Sequence, residues 1–441
     1  MSGTGSSAPA PTAKPKRVSW VYSVLPVSLA TGSVGTMVQL YIISLNPTAQ
    51  GIVLATLAVT FYNGVTIPAS IFWGYLTDRT HQRKSIIIAS YVVMATVLLS
   101  FYGQGTAGSI AQYAVFSFVS AASATPLNLL IMENEPKNKW ADRFARLSMA
   151  SGIGNVAGLV LSTVWVQALP LILLAIPFAI ASLLSAILSL FMIHEPRYVL
   201  EGQTLVLRRP SFFSRLLSLP LIFPNIPSVA DFRKVFRGLR YGLTNYVPLL
   251  YLSIFCFYLS SGIFNTSFVP ALSVFSLSKS EAFGVILAGV GVQTVSFQYI
   301  GRFLENRSLA GVTTWALLLR ALGYIGIGIF ALILAQPLFF VPAIILYPIS
   351  SGIAFAAYYT ASNTMIFNSV KKENPGSSLG VYSGIVGLAT LVGSTIPVFA
   401  SVYLGFDTTF IAAGLVLVVG ATITMKLRRD EHPSAVLRQD T

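Results

Sequence analysis

Residues 51–84 read GIVLATLAVTFYNGVTIPASIFWGYLTDRTHQRK, and residues 85–103 continue SIIIASYVVMATVLLSFYG. Two apolar runs, each long enough to cross a hydrocarbon layer of roughly 30 Å as a helix, flank a polar turn holding Asp78, Arg79, Arg83 and Lys84. The same unit recurs along the chain. Apolar runs fall at 20–44, 51–76, 86–103, 109–132, 144–168, 171–193, 247–274, 281–303, 311–334, 337–367, 378–404 and 407–427. Lipid offers no hydrogen-bond partner to a backbone, so such runs must be helices. Composition agrees: 54% of residues are hydrophobic and 10% are charged, against about 25% charged in a soluble domain. The chain is read as an all-α membrane protein of about twelve transmembrane helices.

Charge supplies the orientation. Of the 28 Lys and Arg residues, 26 lie in alternate connections and the two tails, all on one side of the spans. Lys279 falls on the other side and Arg320 inside a span. Basic residues accumulate on the cytoplasmic side of short loops. Both termini are therefore expected in the cytoplasm, with the protein in the plasma membrane of a prokaryote-like cell. The net charge of +14 then reports membrane orientation rather than nucleic-acid binding. Cys256 is the single cysteine, which excludes an intrachain disulfide and a cysteine metal site. No cleavable signal pattern stands out, and the first apolar run is expected to be retained.

The longest polar interruption, 194–246, leaves six spans on each side. The expected organisation is a disordered basic tail (1–17), a six-helix bundle (18–194), a linker (195–246), a second six-helix bundle (247–427) and a C-terminal tail (428–441). Within the linker, residues 230–243 interleave Phe232, Val235, Phe236 and Leu239 with Arg233, Lys234, Arg237 and Arg240, which suits a helix lying on an anionic leaflet. The halves echo each other in chain order. Leu29-Ala-Thr-Gly32 matches Leu259-Ser-Ser-Gly262, Gly74 to Arg79 matches Gly301 to Asn306, and Asn128-Leu-Leu-Ile-Met matches Asn363-Thr-Met-Ile-Phe. Repeated halves with a substrate site between them at the midplane are a common transporter plan.

Gly74-Tyr-Leu-Thr-Asp78-Arg79-Thr-His81-Gln82-Arg83-Lys84 resembles motif A of the major facilitator superfamily, Gly-x-x-x-Asp-basic-x-Gly-basic-basic. His81 stands where the family has glycine and Gln82 where it has a basic residue. Gly74 is expected to let a helix end approach its neighbour closely. The resemblance covers about residues 18–427. It implies two pseudo-symmetric bundles that rock about a midplane site. It also implies that Asp78 and Arg83, with Arg79, latch the cytoplasmic gate, with Glu305 and Arg307 as a weaker echo.

The spans hold no acid at depth, so no coupling ion is identified. Neutral polar residues near mid-depth are the candidate substrate ligands: Gln39, Asn63, Asn155, Asn265, Gln293 and Tyr359. Each equally suits interhelical hydrogen bonding. In the family the first, fourth, seventh and tenth spans line the cavity, which favours Gln39, Asn265 and Tyr359. Ser28, Gly32, Thr36 and Gln39 form a small-polar stripe on the first span. Asn128 and Asn363 could line a gate. Gly152, Gly154 and Gly158 loosely resemble the antiporter glycine motif, and close helix packing is the simpler reading. Arg320 lies about 14 Å from the inner end of the ninth span. One reading is a counter-charge for an anionic substrate. The other, suggested by the peripheral ninth span of the family, is a guanidinium that snorkels inward or pairs with an acid such as Glu305.

The expected function is a secondary transporter for a small organic solute, embedded in membrane lipids. It is read as a monomer without cofactor, metal or nucleic-acid partner. The three histidines (His81, His194, His432) lack metal-ligand spacing, and the deep bundle lacks paired carboxylates, so an enzyme is not indicated. The rivals are a lipid or glycolipid translocator on the same fold and a transport-dead sensor or assembly partner.

Overall fold

The computed structural model describes residues 19–80, 82–134, 140–193, 246–304, 307–334, 338–369 and 375–436. The N-terminal tail, the linker with its basic 230–243 segment, residues 437–441 of the C-terminal tail, and the three histidines except for the backbone of His432 lie outside them, while residues 428–436 continue the last helix. Among the described residues twelve helices are long and apolar enough to cross a membrane. They are α1 (Leu25–Leu45), α2 (Ala49–Thr80), α3 (Arg83–Ser100), α4 (Thr106–Asn134), α5 (Trp140–Ala168), α6 (Ala175–Met192), α7 (Tyr246–Val274), α8 (Lys279–Leu304), α9 (Leu309–Ile333), α10, α11 (Pro375–Tyr403) and α12 (Phe406–Val436). The tenth is composite: Phe340–Tyr347, a π-helical turn Pro348–Ile353, then Ala354–Ser369.

Local chemistry accounts for the breaks. Gly103 after α3 and Gly405 after α11 take positive φ (76° and 90°), a region costly for any side chain with a Cβ, so the helices stop there. Pro348 has no N–H to donate, which loosens the ladder where α10 widens. Hydroxyls within the spans turn back on their own helix: Thr66 donates to the Tyr62 carbonyl at 2.8 Å and Thr77 to that of Trp73 at 2.7 Å. Ser308 caps α9 by accepting from the Gly311 N–H at 3.2 Å. Ser308→Ala is expected to cost about 1 kcal/mol, read as a small drop in melting temperature.

The helices form two pseudo-symmetric bundles. The pairs α1–α5, α1–α6, α2–α4, α3–α4 and α3–α6 recur as α7–α11, α7–α12, α8–α10, α9–α10 and α9–α12. The matched Leu-x-x-Gly segments mark equivalent crossings. A methyl group at Gly32 would lie 2.7 Å from the Asn155 Cα, and Gly158 lies against the Leu29 carbonyl. In the second half Gly262 lies against the Thr390 carbonyl and Gly393 against that of Leu259. Gly154 packs on the Leu25 carbonyl and Ser28. The glycines of α5 thus serve close packing, as the sequence suggested.

Two seams join the bundles, α2 with α11 and α5 with α8, and α7 also touches α1 and α2. Three hydrogen bonds across the seams lie towards the end with the short loops. Thr60 Oγ1 donates to the Ser394 carbonyl at 2.7 Å, Gln167 Nε2 donates to Ser280 Oγ at 2.9 Å, and Ser280 Oγ donates to the Thr163 carbonyl at 3.0 Å. The deepest glycine contacts are Gly387 on Ile67 and Gly152 on Thr294. Each of Gly387 and Gly152 is twelve residues, about 18 Å, from the opposite end of its helix.

Candidate functional site

The α7 helix stands at the centre, packed against α1, α2, α8, α10, α11 and α12. A helix so enclosed has no lipid-facing side at mid-depth. Asn265 is nevertheless exposed, between buried Phe264 and Thr266. It therefore faces an internal cavity between the bundles. Tyr258, two turns away on the same face, is half-buried, and its hydroxyl lies 3.4 Å from that of Tyr382 on α11. Tyr359 on α10 is 40% exposed; its ring stacks on Phe355 at 5.8 Å and meets Phe297 of α8 edge-on at 5.9 Å. The cavity wall on this side is thus aromatic, with an amide and phenol hydroxyls as its polar groups.

The other candidates divide. Asn63 and Gln293 are half-buried on the seam helices α2 and α8, and Gln293 adjoins Thr294, the residue that meets Gly152. Asn155 sits against Gly32, and its Oδ1 lies 3.5 Å from Thr31 Oγ1, a contact that ties α5 to α1. Gln39 is buried; Nε2 donates to the Gly35 carbonyl of its own helix at 3.4 Å, and Oε1 has no partner. The stripe of Ser28, Thr36 and Gln39 is buried and does not line the cavity. The reason is rotational: the same stripe carries Gly32, which brings α5 against it. Asn128 is exposed and Asn363 half-buried.

The motif residues are only partly described. The side chains of Asp78 and Arg79, and the whole of Glu305, lie outside the described residues. Arg83 is buried at the start of α3 and engaged with neighbouring groups. Arg307 lies over the Phe303 ring at 4.7 Å. Gly74 departs from expectation. A methyl group there would meet nothing nearer than Thr125 Cγ2 at 3.9 Å, and one at Gly301 nothing within 4 Å. Neither glycine makes a close approach to a described residue in this conformation.

For Arg320 the structure speaks against one of the readings, the snorkelling one. It is 1% exposed and does not snorkel. No acid pairs with it among the described residues; the acids with described side chains are Glu281 and Asp407, in the first turns of α8 and α12. Its guanidinium carbon sits 4.7 Å from the Phe257 ring, 5.1 Å from Tyr324 and 5.4 Å from Phe355. Nη1 donates to the Ser350 carbonyl at 3.5 Å, the outer limit of a hydrogen bond, and Nε has no partner. Desolvating a charge costs several kcal/mol, whereas each ring returns about 0.5–2 kcal/mol. The rings offset much of the cost without neutralising the charge. The physical reason is packing: α9 turns this residue towards α7 and α10, where Phe257, Phe355 and the π-helical turn enclose it. Sequence reasoning missed the aromatic column behind it, in which Phe257 stacks on Tyr358 at 3.6 Å and Phe264 on Tyr324 at 3.7 Å. The spacing Phe257, Phe264, Phe268 on one face of α7 was its available signal.

A sequence model described as the Major Facilitator Superfamily matches residues 21–350 and 250–440. No curated protein matches the sequence. Solved structures do match in fold. A transporter of the POT family in complex with a thioalcohol-conjugated peptide superposes with a TM-score of 0.68 at 15% identity, covering 94% of this chain and 96% of that one. A point mutant of the nucleoside transporter NupG gives 0.61 at 12% identity, covering 92% and 98%. The xylose transporter XylE from E. coli, in a partially occluded inward-open conformation, gives 0.62 at 14%, covering 93% and 97%.

Proposed function

Because the chain belongs to the major facilitator superfamily, it is a multi-pass secondary transporter of a small solute and not an enzyme, and we propose that it works by alternating access about the cavity beside Asn265. The observation that carries this reading is the set of cross-seam contacts at the short-loop end. Hydrogen bonds hold the bundles together at the short-loop end, and the deepest cross-seam glycine contacts stop about 18 Å short of the other end. With basic loops facing the cytoplasm of a plasma membrane, this state faces inward. The opposite state would close the helix ends around Gly74 and Gly301, where space is now free, with Asp78 and Arg83 as the latch. Asn265 and Tyr359 are the proposed solute ligands, and Asn63 and Gln293 line the seams that move. Gln39 and Asn155 serve chiefly as helix contacts in the inward-facing state.

A thermal-shift panel of sugars, amino acids, organic acids and nucleosides tests the site. A ligand at a hundred times its Kd stabilises the folded state by about 2.7 kcal/mol, a readily measured shift. The shift is expected to be lost in Asn265→Ala and weakened in Tyr359→Ala. A shift that survives intact in both variants places the site elsewhere.

A further inference from the structure

We infer that Arg320 and the π-helical turn Pro348–Ile353 form a subsite for an organic monoanion, a carboxylate on an aromatic or apolar body, which the Phe355 ring covers in this conformation. The inference rests on the transport reading and names the class of solute. Four observations carry it.

The first is charge. Among the described residues no acid pairs with Arg320. The Asp407 carbonyl meets α9 at Gly328, eight residues or about 12 Å further along that helix than Arg320. An unneutralised guanidinium in a dry interior calls for an anion. The second is unfilled hydrogen-bonding capacity. Arg320 Nε is buried with no hydrogen-bond partner, the one bond from Nη1 is long, and the Tyr324 and Ser351 hydroxyls lie close by. A guanidinium fork matches a carboxylate through two parallel hydrogen bonds, which no carbonyl can supply.

The third is position. Phe355 has the guanidinium on one side, 5.4 Å from its centroid, and stacks with Tyr359 at 5.8 Å. Phe355 is half-buried and Tyr359 reaches the cavity. A rotation of one ring therefore connects Arg320 with the proposed path. The fourth is the backbone. The π-helical turn holds Ser350 and Ser351 beside the charge and begins with a proline, so its ladder is the loosest part of α10. The phenyl and phenol walls suit an apolar solute body. A single compensated charge fits one carboxylate, and a second would be left unpaired.

The test is equilibrium binding of radiolabelled benzoate and benzamide to the purified full chain near neutral pH. Wild type is expected to bind benzoate saturably and benzamide at least about tenfold more weakly, the preference a charge-assisted pair supplies. Arg320→Met should abolish the preference by weakening benzoate, and Arg320→Lys should retain part of it. Phe355→Ala should tighten benzoate several-fold by removing the cover. Equal binding of the two probes by wild type, or a preference that survives Arg320→Met, overturns the subsite. If Arg320→Met does not yield folded protein, a benzoate preference unchanged in both Arg320→Lys and Phe355→Ala overturns it instead. Neutral solutes that bind and are transported, with no benzoate preference, sink this subsite and leave the carrier standing.

Discussion

Gly158→Leu is expected to prevent assembly of the first bundle, and Gly393→Leu that of the second. At Gly158 even a methyl group would lie 2.7 Å from the Leu29 carbonyl carbon and 2.8 Å from its Cα, besides running into the carbonyl oxygen. These are backbone atoms, which cannot swing aside as a side-chain tip can. The α1–α5 crossing would have to open, and with it the neighbouring contacts of Gly154 on Leu25 and Gly32 on Asn155. Overpacking a tight site costs about 1–3 kcal/mol, and a leucine against backbone belongs at or above the upper end. The better helix propensity of leucine returns less than about 1 kcal/mol. Gly393 is the counterpart, pressed on the Leu259 carbonyl with Gly262 Cα at 3.1 Å. Gly284→Leu is the control, because nothing lies within 4 Å of a methyl group there. Size-exclusion profiles in detergent and melting temperatures would read the effect. A Gly158→Leu protein as stable as Gly284→Leu would mean that the helices do not cross this closely.

The second large effect is expected from tying the short-loop end shut. In a Cys256→Ser background, Gln167→Cys and Ser280→Cys replace two side chains that now meet at 2.9 Å across the α5–α8 seam. A short, reducible thiol-specific bridging reagent should then hold the bundles in the present state. If transport requires that seam to part, uptake of a solute identified by thermal shift falls to the uncrosslinked fraction, a loss of about tenfold or more, and reductant restores it. The control pair is Asn46→Cys with Thr106→Cys, whose parent side chains meet at 3.3 Å within one bundle. Bridging that pair should leave uptake intact. Full uptake with the seam pair bridged would show that the short-loop end does not open during transport.

Several features were legible in sequence because they depend on composition rather than direction. A run such as 171–193 can only be a helix in lipid, whatever surrounds it. The Leu29-to-Gly32 and Leu259-to-Gly262 match signalled duplication because both crossings need a residue without a side chain at the same register. Cys256 was read as a small buried hydrophobe, and it is buried, with its Cβ 3.1 Å from a methyl group placed at Gly420. The candidate ligands were harder to separate. Asn155 and Asn265 are the same residue type at similar depth, yet one is wedged against Gly32 and the other is exposed. Nothing in the local sequence of either asparagine states which neighbour it will face.

What the sequence determined by itself is the number of spans, the duplication and the family. Each follows from how apolar length and charge partition between lipid and water, which is a property of segments. What only the tertiary structure decided is the direction of individual side chains: Gln39 turned into its own bundle, Asn265 into the cavity, Gly74 with room beside it, and Arg320 into a cluster of rings rather than towards the headgroups. A helix advances about 100° per residue, so a shift of two positions or a small rotation exchanges cavity for packing. That rotation is set by partners far along the chain, such as Ser350 and Phe257 around Arg320.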